Sequence, residues 1–212
     1  MSRAQYRSER RQEGAAATRQ AIIDAARALF VERGYARTTV ADIAAAAHVA
    51  VPTVYVSVGP KPAILGELRN QIPAQAGVPE DIQSELAQLN DPIAVISGTV
   101  AVIRRMMETS GALMLAIEAA APFEPVATEA WEDGLVLHRA GWSMAVGRLE
   151  ALGALEPTLH PRKAEDILSF LSLPATWRTL GRGGWTFEEI ETWIVETAIT
   201  LVLAPRSMQR IS

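Results

Sequence analysis

The 212-residue chain has no cysteine, and this single absence excludes disulfides, thiolate-bound zinc, iron–sulfur clusters and thiol nucleophiles. Histidine is nearly as scarce: His48, His138 and His160 are spaced as no metal site is, so neither a metal nor another cofactor is expected. Lysine occurs only as Lys61 and Lys163, neither behind a Gly-rich stretch, which leaves no phosphate loop. Long apolar runs are missing too. Charged or other polar residues interrupt each one before the roughly 18 residues of a membrane-spanning helix, so no membrane partner is expected. Arg3, Arg7, Arg10 and Arg11 are not followed by the apolar stretch of a secretory signal, and Glu9 and Glu13 oppose a transit peptide. A cytoplasmic protein is expected.

What the sequence does hold is the composition of a folded protein of one or two domains, 49% hydrophobic and 21% charged, with 12 Pro and 14 Gly scattered along it. Its net charge of −4 hides an asymmetry. Residues 1–70 carry ten basic groups against six acidic ones, a local +4 that leaves −8 for the remainder. A basic head on an acidic body suits a module that meets nucleic acid joined to one that avoids it; an ordinary solvated helix gives the same balance.

Residues 1–14 read as a basic, flexible arm. From 15 to 33, apolar Ala15, Ile22, Ala26, Leu29 and Phe30 alternate with charges on other faces, the pattern of an amphipathic helix. Gly34 follows as a C-cap. Thr39 is placed to cap a short helix whose inward stripe is Val40, Ile43, Ala44 and Ala47. After the connection His48 to Ala50, residues 51–58 are ambiguous, because Val54, Val56 and Val58 alternate with Tyr55 and Ser57 as in a strand. The flanking pattern of helix, glycine stop, capped short helix and tight turn predicts instead the second helix of a helix-turn-helix.

At these residues the sequence resembles the TetR family of one-component transcriptional regulators. The resemblance covers positions 19–65 through Arg19, Ile22, Ala25-Ala26, Leu29-Phe30, Gly34-Tyr35, Thr38-Thr39-Val40, Asp42-Ile43-Ala44, Ala47, Val49, Thr53-Val54-Tyr55, Lys61 and Leu65. A weaker echo returns at Arg182-Gly183-Gly184-Trp185-Thr186 with Glu188, Ile190 and Trp193. It implies an all-α homodimer: a helix-turn-helix head over 15–60, and a helical ligand-binding and dimerisation domain over 61–212 entered through a connecting helix at 61–72. The chain departs from the family's usual pattern at His48, where glycine is common in the turn, at Ala50, where serine caps the recognition helix, and at Ser57 and Val58. Losing the serine cap costs about 1 kcal/mol, partly offset by Pro52 in the first helical turn.

By the same resemblance, Thr39, Tyr55 and Lys61 hold the sugar–phosphate backbone of double-stranded DNA, and such contacts position without reading sequence. Val51, Pro52, Thr53, Val56 and Ser57 complete the expected DNA-contacting set. None is Arg, Asn or Gln, so direct readout falls to thymine methyls and the Thr53 hydroxyl, or to groove shape. The Arg-rich arm is a further candidate for the minor groove.

Beyond an irregular break at Pro73, Gly77 and Pro79, the body reads as helices over 91–108, 111–121, 124–152, 161–180 and 186–203. Met107, Met114, Trp131, Trp142 and Trp177 offer surface for an apolar small molecule, with Glu118 and His138 as polar groups to orient it; ordinary core is the competing reading for each. For Glu118 the competing reading is a pair with an arginine such as Arg104 or Arg139. Phe170, Leu171, Trp193, Ile194 and Leu201 form the expected dimer face. No catalytic residue is expected: Gly141-Trp142-Ser143-Met144-Ala145 approaches a nucleophile elbow but lacks its last glycine and falls inside a helix. The expected function is thus a ligand-responsive repressor that binds a pseudo-palindromic operator as a homodimer and is released by a mainly apolar molecule. The alternative is a helical ligand-binding or interaction module whose head no longer reads DNA.

Overall fold

The computed structural model describes residues 3–78 and 82–205. Among them the chain forms ten helices: α1 Arg3–Arg33, α2 Val40–Ala46, α3 Val51–Ser57, α4 Lys61–Gln75, α5 Ile82–Gln88, α6 Pro92–Ala120, α7 Pro125–Ala151, α8 Pro161–Leu171, α9 Pro174–Arg182 and α10 Phe187–Val202. No single helix among the described residues is long and apolar enough to cross a membrane. Two compact units divide the chain, one of Met1–Gln71 with Ala112–Trp131, the other of Ile72–Gly111 with Glu132–Ser212.

In the first unit α1 starts at Arg3 rather than at residue 15. The segment expected as an arm is rich in Arg, Glu and Gln, which are good helix formers, and Gly14 at its end does not stop propagation. The side chains of Arg3 and Arg7 lie outside the described residues. Ile22, Ile23, Ala26, Leu29 and Phe30 bury one stripe of α1. Gly34 then takes φ 86° and donates its N–H to Phe30 O at 3.0 Å, ending the helix as the left-handed position after it requires. Thr39 opens α2 with a capping box: its Oγ1 accepts from the Asp42 N–H at 3.1 Å, and Asp42 Oδ2 accepts from the Thr39 N–H at 2.8 Å. The turn passes through His48 at φ 56°, a conformation histidine tolerates better than most side chains.

Three expectations for the remaining helices need correction. Gly111 does not interrupt α6, which is continuous from Pro92 to Ala120; the space a Cβ would take at this position lies 2.8 Å from Met107 Cε, the flexible end of the side chain one turn earlier. Pro73 does not end α4, which runs on to Gln75 before Gly77 turns the chain at φ 63°; Pro79 lies outside the described residues. The expected helix over 161–180 is two. Ser172 closes α8 and Pro174, which has no N–H to give, opens α9.

The second unit is built on a stripe of Ile190, Ile194, Ala198 and Val202, four apart along α10 and all buried. Thr186 and Glu189 form a capping box at its start. At its end a short antiparallel bridge pairs Leu203 with Leu155, bonded from Glu156 N to Val202 O and from Ala204 N to Ala154 O, each at 2.9 Å. Elsewhere in this unit the Arg148 guanidinium holds Leu89 O at 2.7 Å and Asn90 Oδ1 at 2.9 Å.

Candidate nucleic-acid interface and effector residues

Helix α3 is pinned by Val54, which is fully buried, and by the end of α2, where Ile43 and Ala44 are buried. Its C-terminal end is held from α1. The Arg19 guanidinium donates to the Ser57 carbonyl and pairs with the Glu67 carboxylate of α4, so one side chain ties three helices together. Sequence spacing assigned Arg19 no such role, because its partners are distant along the chain. A second tie starts at Lys61, whose Nζ donates to Tyr35 O at 3.1 Å and stands 4.1 Å from the centre of the Tyr35 ring. That ring packs edge-on against Phe30 at 5.1 Å. Burial, with the Glu124 carboxylate adding to it, pushes the Tyr35 hydroxyl up to about 12.

The structure divides the expected DNA-contacting residues. Val51, Pro52, Tyr55 and Val56 are exposed on α3, with Val56 the most open at 88%. Val51 and Tyr55, like Pro52 and Val56, are four apart and so adjoin on one face. Thr53 and Ser57 are half-buried at its margin. Thr39 is exposed, but its hydroxyl donates to Asp42 Oδ2 at 2.6 Å as well as accepting at the cap, so helix capping is its first role. Those bonds hold the Asp42 carboxyl below its ordinary range. Lys61 likewise has one of its three N–H bonds engaged within the head.

The expected effector residues fall in both units. Met114, Glu118 and Trp131 belong to the first and are half-buried. In the second, Met107, Trp142 and Trp177 are buried. Trp142 Nε1 donates to Ser172 Oγ at 2.9 Å, and Ser172 Oγ donates to Leu168 O at 2.8 Å. His138 Nε2 lies 3.1 Å from Ser169 O and 3.3 Å from the same Ser172 Oγ. Burial pushes the His138 imidazole below its ordinary value, and the Ser169 carbonyl opposes this in part. Ser172, the hub of the cluster, escaped sequence reading because a serine ending an apolar helix looks like any turn residue. Trp177 Nε1 is buried with no hydrogen-bond partner, its ring 5.8 Å from that of Phe187. Arg104 bonds Glu108 and Glu191, and Arg139 bonds Asp166, so both arginines expected near Glu118 serve other carboxylates.

The residues expected at the dimer face differ in exposure. Leu171 and Ile194 are buried, whereas Phe170 is 70% and Leu201 48% exposed and Trp193 is half-buried. On a face that wide, sequence cannot separate the inward residue from its outward neighbour.

Fold and site together define a class: an all-α protein with an N-terminal helix-turn-helix head. Residues 22–67 match the model of the bacterial regulatory proteins of the tetR family, so the N-terminal head is of that family's kind. Solved structures agree in fold. NalD, the secondary repressor of the MexAB-OprM multidrug efflux pump in Pseudomonas aeruginosa, is 21% identical and superposes with a TM-score of 0.72 over 91% of this chain and 99% of its own. A complex of SmeT with triclosan is 21% identical, TM-score 0.67, over 90% of this chain and 94% of its own; SmeT is the repressor of the Stenotrophomonas maltophilia efflux pump SmeDEF. A transcriptional regulator from Saccharomonospora viridis in complex with choline is 17% identical, TM-score 0.70, over 88% and 97%. No curated protein matches the chain.

Proposed function

We propose that the chain is a ligand-responsive transcriptional repressor, working in the cytoplasm as a homodimer on a pseudo-palindromic operator. The observation that carries this reading is the open face of α3, Val51, Pro52, Tyr55 and Val56, on a helix anchored by Val54 and clamped by Arg19. A short helix held that firmly with its other side bare is built to enter a major groove. Residues 15–60 are the DNA-binding head and 61–212 the regulatory body. Tyr55, Lys61 and Thr39 serve the phosphate backbone, and the dimer forms through Phe170, Leu201 and Trp193.

For the effector, we propose a mainly apolar molecule with one hydrogen-bond acceptor, held in the second unit near Trp177 and the His138–Trp142 cluster. A buried indole N–H without an acceptor costs about 1–3 kcal/mol, which a ligand carbonyl or hydroxyl recovers on binding. The triclosan and choline complexes of proteins with this fold support a small-molecule response. Release then requires differential affinity: moving the dimer from 1:99 to 99:1 between states takes about 10⁴-fold preference. Helix α4 has residues in both units and supplies a continuous element through which the body acts on the head. The test is footprinting on DNA selected from random sequence. Two protected half-sites about 34–36 Å apart, on one face of the duplex, are expected; a single unpaired site would refute the dimeric operator.

A further inference from the structure

We propose that the chain reads its operator through the 5-methyl groups of thymine, using an apolar edge formed by Val51, Pro52 and Val56. The inference rests on the DNA-binding reading above and specifies its chemistry. Helix α3, with the sequence VPTVYVS, carries no Arg, Lys, Asn, Gln, Asp or Glu. Its hydrogen-bonding side chains are Thr53, Tyr55 and Ser57, of which Thr53 and Ser57 are half-buried at the margin of the open face. What faces outward is Val56 at 88% exposure, Tyr55 at 52%, Val51 at 38% and the exposed Pro52, so the hydroxyl of Tyr55, assigned above to the phosphate backbone, is the one polar group beside an otherwise apolar edge.

Three apolar residues exposed together on one short helix mark an interaction surface. The segment that carries them, residues 1–70, has a net charge of +4, which fits polyanionic DNA as the occupant. In the major groove each base pair shows its own pattern of donors and acceptors, and only thymine adds a methyl group. Valine and proline side chains form no hydrogen bonds, so the base feature they recognise favourably is that methyl. A G·C pair beneath Val56 offers no methyl, so the valine desolvates polar groups there, as it does on an A·T pair, without the compensating apolar contact.

The experiment begins with the operator selected from random DNA. Its thymines are replaced singly by deoxyuridine, which removes the methyl and keeps both Watson–Crick partners. Uracil under Val56 is expected to weaken binding about fourfold, the ratio that burial of one methyl group supports. Val56→Ala is expected to weaken binding to the thymine operator by a similar factor and to leave binding to the uracil operator unchanged, because the two substitutions remove opposite halves of one contact. The exposed position of Val56 keeps the variant folded, and an unaltered melting midpoint verifies this. Selective binding that is indifferent to uracil, or a Val56→Ala penalty equal on both operators, overturns the methyl readout alone. Recovery of no preferred sequence overturns the DNA-binding reading and this inference with it.

Discussion

Replacing Ser172 by Ala removes the acceptor on which a fully buried polar contact of the second unit depends. Trp142 has 0% exposure, and its indole N–H donates to Ser172 Oγ at 2.9 Å. The substitution leaves Cβ in place, so little cavity opens; the cost is a stranded donor, about 1–3 kcal/mol. For a chain of this length, 1 kcal/mol moves the midpoint by about 2–4 °C, so a 2 kcal/mol loss lowers it by about 4–8 °C. Trp142→Phe removes the donor and with it the need for an acceptor, though the lost volume destabilises on its own account. The informative quantity is therefore the cycle. In the Trp142→Phe background, Ser172→Ala is expected to cost at least about 1 kcal/mol less than in the parent. Urea denaturation of the four proteins, with equal m-values, measures it. Equal penalties in both backgrounds, or a Ser172→Ala protein with the parent midpoint, would refute the reasoning.

His138 makes stability depend on pH. Its folded value lies below the unfolded one near 6.5, so the unfolded chain takes up the proton first; stability is full above about pH 6.5 and declines as pH falls toward the folded value. Denaturation curves between about pH 7.5 and 5 are expected to show this slope and His138→Gln to flatten it; an unchanged slope in the variant would assign it to other groups. At the dimer face, Phe170→Glu is expected to yield a folded monomer in sedimentation velocity, while Leu171→Glu and Ile194→Glu unfold the body because both residues are buried within it. Folded, monomeric Ile194→Glu would contradict that placement. Arg19→Ala frees the Ser57 carbonyl and the Glu67 carboxylate, and with a partly exposed pair the stability loss should stay near 1 kcal/mol or below. Operator affinity is expected to drop at least about tenfold, since α3 loses its clamp, and binding at the parent affinity would remove Arg19 from the positioning role.

Local signals were legible in the sequence and distant ones were not. Thr39 and Asp42, three residues apart, announce their capping box, and the Gly34 stop follows from the end of the apolar stripe of α1. Helix α3 shows the limit of propensity. Its alternating valines favour a strand in isolation, yet burial of Val54 against its neighbours and a turn through His48 at positive φ make it helical. The Arg19 clamp, the Ser172 hub and the recruitment of residues 112–131 to the first unit join parts of the chain that are 30 or more positions apart. No periodicity encodes such pairings. The same holds for Phe170 and Leu171, adjacent on one apolar stretch, of which one turns outward and the other into the core.

The central claim, that the open face of α3 reads DNA, is tested most directly by titrating the protein against a sequence selected from random DNA and against a scrambled control over a range of salt concentrations. The account predicts a selected-to-control affinity ratio of about 10³ or more at physiological salt, with affinity falling steeply as salt rises because phosphate contacts release counterions. Equal affinity for both duplexes at every salt concentration would contradict it, and would leave the apolar face of α3 without the role assigned to it.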